Sequence, residues 1–160
     1  MVNPHVAFER NKNWLSKHGV KQETDLQYLV QVKNFSRPAQ PAGGDTGQPD
    51  SVRFPFKCSL VLGIQMTCRP DGQPTNPFIE ALDRFRVSFQ YNANSIGLVT
   101  TDQSQGGAAS TIAGRFGDTF PARELALEAQ DTIAQLVQNI TPDAIVGTIA
   151  YHCLIWKYAQ

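Results

Sequence analysis

The segment VRFPFKCSLVLGIQMTC, residues 52–68, alternates between apolar and polar side chains over an unusual length. From Phe54 to Cys68 every second residue is apolar, and this period of two predicts a β-strand with one buried face. The apolar set is Phe54, Phe56, Cys58, Leu60, Leu62, Ile64, Met66 and Cys68, and the other set is Arg53, Pro55, Lys57, Ser59, Val61, Gly63, Gln65 and Thr67. The second set indicates a polar, basic face on the same strand.

The composition favours one soluble domain. The chain has 160 residues, and its 14 Lys+Arg balance its 14 Asp+Glu. Its three cysteines include no C-x-x-C pair, so we predict no disulfide framework, metal site or other cofactor. No apolar run reaches the roughly 18 residues of a membrane span, and the charged N-terminus is unlike a signal peptide. We therefore expect an unexported protein with no membrane partner.

A short helix is predicted at residues 3–18. Asn3 suits the N-cap, Pro4 the first helical position and Gly19 the left-handed stop. Because its apolar residues form a single stripe, we expect this helix to lie on another surface.

Two more strands are predicted at residues 26–35 and 83–92, where apolar and polar side chains again alternate. The loop after the long strand cannot supply a crossover helix, which favours antiparallel pairing of that strand with residues 83–92. Residues 36–51 and 93–118 are rich in turn-forming and small polar residues, so we expect mostly irregular structure in both.

The C-terminal region contains a predicted helix at about 120–139. Pro121 opens this segment, and apolar residues recur at helical spacing: Leu125, Ala129, Ile133, Leu136, Val137 and Ile140. The apolar run 144–156 fits either a buried helix or a buried strand. The predicted fold class is α+β: an antiparallel sheet with C-terminal helices packed across it.

We predict a single domain of residues 1–160 with four regions. They are an N-terminal arm and helix at 1–25, the antiparallel sheet at 26–92, a loop at 93–118, and a helical or apolar C-terminal region at 119–160.

The apolar face of the long strand needs more cover than one copy supplies. A strand of this length spans about 50 Å, whereas the predicted helix spans about 29 Å. An interlocked homodimer, in which a second copy's helix covers the sheet, is therefore the favoured hypothesis. The alternative is a bulge or break near Pro55 or Gly63 that shortens the strand.

The polar face of the predicted sheet is a candidate RNA-binding surface. No carboxylate falls on it within the predicted strands, and cations with short polar groups are what phosphate contact requires. An ordinary solvated face is the alternative. The candidate residues are Lys33, Arg53, Lys57, Ser59, Gln65, Thr67, Arg84, Arg86, Ser88 and Gln90.

The order of these elements resembles the coat proteins of single-stranded RNA bacteriophages. The likeness lies in DRFRVSFQYNANS (83–95) and ARELALEAQDTIAQLVQNITPDAIV (122–146). The resemblance implies interlocked dimers that tile an icosahedral shell, bind single-stranded RNA on the inner sheet face and form a virion assembled in the host cytoplasm. It also implies that residues 69–82 are an inter-subunit loop. Some relatives form disulfides there, but the loop beside Cys68 holds no second cysteine, so we expect none.

An enzyme is not predicted. His5, His18 and His152 are scattered, and the sequence contains no nucleophile elbow, Walker loop or dinucleotide fingerprint. Two alternatives to the shell-forming coat protein stay open. One is a rod-forming virus coat or a phage tail or neck subunit, and the other is a cellular RNA- or ligand-binding module.

Overall fold

The computed structural model describes residues 3–39, 46–72, 85–100, 123–139 and 143–156. Within these ranges the chain forms one α-helix, one short 3₁₀ turn at Glu23–Asp25 and eight β-strands. They are α1 (Pro4–Lys17), β1 (Leu26–Arg37), β2 (Gln48–Arg53), β3 (Cys58–Pro70), β4 (Phe85–Tyr91), β5 (Asn94–Thr100), β6 (Leu125–Glu128), β7 (Thr132–Asn139) and β8 (Ile145–Trp156).

The strands form two four-stranded sheets in which every pairing is antiparallel. The first sheet has the order β1-β8-β3-β6, and the second sheet has the order β2-β7-β4-β5. Of the seven connections between successive described strands, only the β4–β5 hairpin joins two strands of the same sheet. This strand order is that of a jelly roll, an eight-stranded sandwich of two Greek keys.

Two apolar clusters hold the sandwich together. The larger one lies between the sheets and includes Phe54, Phe89, Leu127, Ile133 and Tyr151. The smaller one lies between α1 and the outer face of the first sheet, and it includes Phe8, Leu15, Cys58, Leu60, Leu62 and Leu154. The first sheet is therefore packed on both faces where α1 covers it.

The predicted N-terminal helix is confirmed, with its two end signals. The Asn3 side chain accepts a hydrogen bond from the His5 backbone N–H at 2.9 Å, and Pro4 occupies the first turn. Gly19 has a φ of 91°, the left-handed conformation expected of a helix stop. The strands predicted at 26–35 and 83–92 are likewise present as β1 and β4.

The long strand is shorter than predicted, and its residues 58–64 are buried on both faces. Strand β3 begins only at Cys58, and its register shifts between Val61 and Gly63. The shift changes which residues face inward: Val61 and Ile64 both join the cluster between the sheets, although they are three positions apart. The structure thus has the break and bulge that the sequence left as the alternative.

The predicted pairing of the long strand with residues 83–92 was wrong. Strand β3 pairs with β6 and β8, whereas β4 pairs with β5 and β7 in the other sheet. Strand β5 also replaces the irregular structure expected at residues 94–100, and residues 101–118 lie outside the described residues.

The predicted C-terminal helix was wrong as well, and with it the α+β fold class and the interlocked dimer built on that helix. Described residues 123–139 form β6 and β7, joined by a turn in which Gln130 has a φ of 71°. The apolar run that was ambiguous forms β8. Ile133 and Val137, which suggested a helix, are four residues apart, and this spacing puts two residues on one side of a strand as well as of a helix. The helical ending that the resemblance to RNA-phage coats relied on is therefore not present.

Candidate assembly surface and nucleic-acid interface

Three polar contacts close the edge of the sandwich where β1 meets β2. The three β1 residues that make these contacts lie on the side of β1 that faces the interior of the sandwich, together with the partly buried Phe35. Gln31 Nε2 donates to the Arg53 carbonyl oxygen at 2.8 Å, Lys33 Nζ lies 3.1 Å from Asp50 Oδ2, and Arg37 donates to Gln48 Oε1 at 3.2 Å. Lys33, a predicted RNA-binding residue, is thus engaged within the chain.

The outer face of the second sheet brings four of the predicted RNA-binding positions together. Ser88 and Gln90 lie on the side of β4 opposite the buried Val87 and Phe89, and Arg86 is two positions before Ser88 in the same strand, paired with Gln138 of β7. Arg53 stands on the same face at the end of β2, paired with Thr132 of β7. The outward positions of β2, β7, β4 and β5 that the structure describes carry no carboxylate. We call this surface the basic face.

The other predicted RNA-binding residues lie elsewhere. Ser59 is only 1% exposed, inside the sandwich. Lys57 Nζ lies 4.3 Å from the centre of the Trp156 ring, a cation–π contact near the end of β8. Gln65 and Thr67 are in β3 of the first sheet, paired with Ala150 and Thr148. Arg84 lies outside the described residues. The predicted set is therefore divided between the two sheets.

The outer face of the first sheet exposes a row of large apolar side chains on its edge strand. Tyr28, Val30 and Val32 of β1 are 50%, 39% and 55% exposed, beyond the part of the sheet that α1 covers. We call these three residues the apolar stripe. Their alternation with Leu29, Gln31 and Lys33 puts them on one side of the strand, but only the sandwich topology shows that this side faces outward.

The rows of the sheet that contain the apolar stripe carry no formal charge. Val30 pairs with His152, and Val32 pairs with Ala150, which in turn pairs with Gln65. Burial lowers the pKa of His152 to about 4, so its ring is neutral at physiological pH. Its Nδ1 is hydrogen-bonded to the hydroxyl of Tyr28. Tyr28 is thereby fixed in orientation at one end of the stripe.

Polar contacts fix α1 over the other end of the same face. Arg10 Nη1 lies 3.2 Å from Glu124 Oε1, and His18 Nε2 is hydrogen-bonded to Glu128 Oε1 at 3.0 Å, so two side chains of or next to α1 reach both ends of β6. The third pair, His5 with Glu23 at 2.7 Å, raises the pKa of His5 through the hydrogen bond and charge of that carboxylate. These contacts add orientation to the apolar packing that holds the helix.

Among the described residues, no group of three or more His, Cys, Asp or Glu could hold a metal ion. No helix in that part of the chain is long and apolar enough to cross a membrane.

Comparison with known proteins gives no family. No family model and no curated protein matches the chain. Among solved structures it is similar to a chain of the acidic stable capsid of Helicobacter pylori bacteriophage KHP30, with 11% identity, a TM-score of 0.41, and 81% of this chain and 93% of that chain covered. A second is the 60-mer BFDV capsid protein, with 11% identity, a TM-score of 0.39 and coverages of 84% and 94%. A third, dimeric latent PorU from Porphyromonas gingivalis, has 10% identity, a TM-score of 0.32 and coverages of 80% and 13%. All three TM-scores are too low to carry an argument, so the fold assignment rests on the strand order.

Proposed function

We propose that this chain is a viral capsid protein whose jelly-roll domain self-assembles into a shell around single-stranded RNA. Jelly rolls serve viral capsids, lectins and cupins, and a fold does not by itself define a function. The proposal therefore rests on the surfaces that this jelly roll presents. It concerns a jelly-roll coat protein, since the helices of the RNA-phage type are absent from the described C-terminal region.

The apolar stripe is the observation that carries the proposal. Contiguous exposed apolar residues on a soluble domain mark a surface that another molecule covers. We assign that cover to further copies of the chain. The formal net charge is 0 at pH 7, and a protein near zero net charge has little long-range repulsion between copies to oppose association. The uncharged rows around the stripe also avoid burying unpaired charge at a contact.

The basic face is the surface proposed to meet RNA. Arg53 and Arg86 supply cations for phosphate neutralisation, and Ser88 and Gln90 supply short polar groups that hydrogen-bond phosphate oxygens. The face lies on the second sheet, whereas the apolar stripe lies on the first. Assembly through one sheet therefore leaves the other free for nucleic acid.

Particle formation tests the assembly proposal. Light scattering and negative-stain electron microscopy of the purified full chain are expected to show closed shells of megadalton mass. The double variant Val30→Lys, Val32→Lys is expected to stay folded, because both positions are exposed, but to lose the shells. Its control, Ser51→Lys with Thr132→Lys, places the same charges on exposed positions of the second sheet. Rods would favour a helical coat or tail subunit, and a monomeric wild-type chain would overturn the proposal.

Nucleic-acid content tests the basic face separately. Arg53→Glu combined with Arg86→Glu is expected to lower the 260/280 nm absorbance ratio of purified particles. The two substitutions reverse two charges on the proposed RNA surface and change its net charge by −4. Lys12→Glu with Lys17→Glu makes the same charge change on α1 and is expected to leave the ratio unaltered. An equal fall in both variants, or in neither, would contradict the assignment of this face.

A further inference from the structure

A cavity of about 280 Å³ lies between the two sheets beneath the edge where β1 meets β2. Its walls include Phe35 and Arg37 of β1, Gln48 and Asp50 of β2, and Gln135 and Val137 of β7. Gln48 and Asp50 are exposed, whereas Gln135 is 2% exposed. The cavity is thus open at β2, and the buried residue Gln135 forms part of its wall.

Gln135 has an unused hydrogen-bond donor. Its Oε1 accepts from the Tyr151 hydroxyl at 2.5 Å, which fixes the orientation of the carboxamide. Its Nε2 has no partner among the described residues, although it is fully buried. Buried amide donors in folded proteins are nearly always paired. An acceptor from outside the described chain would satisfy this one.

The rest of the wall limits what could supply that acceptor. Phe35 and Val137 offer apolar surface, which suits a flat ring. Gln48 has its Oε1 engaged by Arg37, so its amide N–H groups are the part left to donate. The Asp50 carboxylate, held by Lys33, is an acceptor near the mouth. A planar molecule with acceptor and donor atoms along its edges fits this combination.

We propose that this cavity binds a single nucleobase. Carboxamide side chains pair with the donor and acceptor edges of bases, and unstacked bases pack against aromatic side chains in RNA complexes. The choice of a base over other planar heterocycles rests on the proposed packaging of RNA. The size agrees with a small ligand, since the volume is close to the lower end of the roughly 300–1,000 Å³ of small-molecule sites.

Equilibrium dialysis of the full chain, freed of nucleic acid by nuclease and high salt, tests the proposal with labelled adenosine, uridine and ribose 5-phosphate as probes. Saturable binding of at least one nucleoside is expected, without binding of ribose 5-phosphate.

Gln48→Trp, which fills the mouth from an exposed position, is expected to weaken binding at least about tenfold. Gln135→Met removes the donor at similar size, together with the acceptor of the Tyr151 hydroxyl. It is expected to weaken binding about tenfold, the equivalent of one hydrogen bond. Ser51→Trp, on the same strand but facing outward, is the matched control.

Several outcomes would overturn the proposal. Absence of saturable nucleoside binding would mean that water satisfies Gln135. Equal binding of ribose 5-phosphate would mean that the site recognises the ribose, which both probes share, and not the base. Equal weakening by Ser51→Trp would place the binding elsewhere. Electron microscopy of the same samples separates this result from the proposed function. Shells without nucleoside binding overturn only the cavity assignment, whereas nucleoside binding without shells overturns the capsid role and keeps the site.

Discussion

Lys33 Nζ lies 3.1 Å from Asp50 Oδ2, and this ion pair joins the edge strands of the two sheets. The sequence placed Lys33 on a polar face directed at RNA, but the alternation of β1 puts it on the inner side, beside Phe35. The lysine therefore closes an edge of the sandwich instead of adding to the basic face.

Replacing Lys33 is expected to have a small effect on stability. The two side chains are 36% and 42% exposed, and exposed ion pairs contribute about 0–1 kcal/mol. Lys33→Met should lower the free energy of unfolding in urea by less than about 1 kcal/mol and leave the RNA content of particles unchanged. A fall in the 260/280 nm ratio that Lys17→Met does not reproduce would show that Lys33 does face RNA.

Truncating a buried residue of α1 is expected to be costly. Leu15 is 1% exposed and packs with Leu60 and Leu154 in the cluster between α1 and the first sheet. Leu15→Ala should reduce the free energy of unfolding by about 2–5 kcal/mol, measured by urea denaturation. Asn13→Ala, at an exposed position of the same helix, should change it by less than about 0.5 kcal/mol. Equal effects of the two variants would mean that α1 is not docked as the structure shows.

The sequence predicted those helices and strands whose capping residues or apolar alternation lie within the element itself. The cap at Asn3 and the stop at Gly19 defined α1, and strict alternation defined β1 and β4. The turn between β6 and β7 gave no such signal, because its left-handed position is Gln130 rather than glycine or asparagine. Helix-forming residues flank this turn on both sides, so local propensity favours a helix. Pairing with strands that are distant in sequence overrides that preference.

The division of strands between sheets could not be predicted, because it depends on contacts that are distant in sequence. The sequence predicts Ser59 on the polar face proposed to bind RNA, yet β3 has the second sheet on one side and α1 on the other. The positions Arg53, Arg86, Ser88 and Gln90 fall on strands of one sheet that each have a simple alternation, and their contact with RNA stays a prediction. The apolar stripe was missed, since alternation alone does not say which side of β1 meets solvent.

Replacing the residue with left-handed backbone in the β6–β7 turn by glycine is expected to stabilise the protein. Gln130 has a φ of 71°, and its backbone N–H donates to the Phe54 carbonyl at 2.9 Å. Gln130→Gly keeps that bond and removes the steric cost of the side chain, at the expense of more freedom in the unfolded chain. We expect the free energy of unfolding, measured by urea denaturation, to rise by about 0.5–1 kcal/mol. Ala129→Gly, at a neighbouring position without a positive φ, should bring no gain, and a loss in both variants would contradict the explanation.

Acid is expected to destabilise the fold through His152. Burial lowers its pKa to about 4 in the folded state, against an ordinary value of 6.5. Above pH 6.5 the ring is neutral in both states and contributes no pH dependence. As the pH falls from 6.5 towards 4, the unfolded chain binds a proton that the folded chain does not, so stability falls. Below about pH 4 both states are protonated and this loss stops growing.

His5 contributes with the opposite sign, because Glu23 raises its pKa. Its stabilisation is complete below pH 6.5 and is lost as the pH rises through the folded value. Urea midpoints measured from neutral pH down to pH 4 should separate the contributions of the two histidines to stability. His152→Asn should reduce the loss between pH 6.5 and 4. His5→Asn should remove the gain in stability on going from neutral pH to pH 6.5 and leave the loss below pH 6.5 unchanged. Tyr28→Phe should preserve the loss, because burial and not the Tyr28 hydroxyl lowers the pKa of His152. An unchanged acid slope in His152→Asn would show that another group controls it.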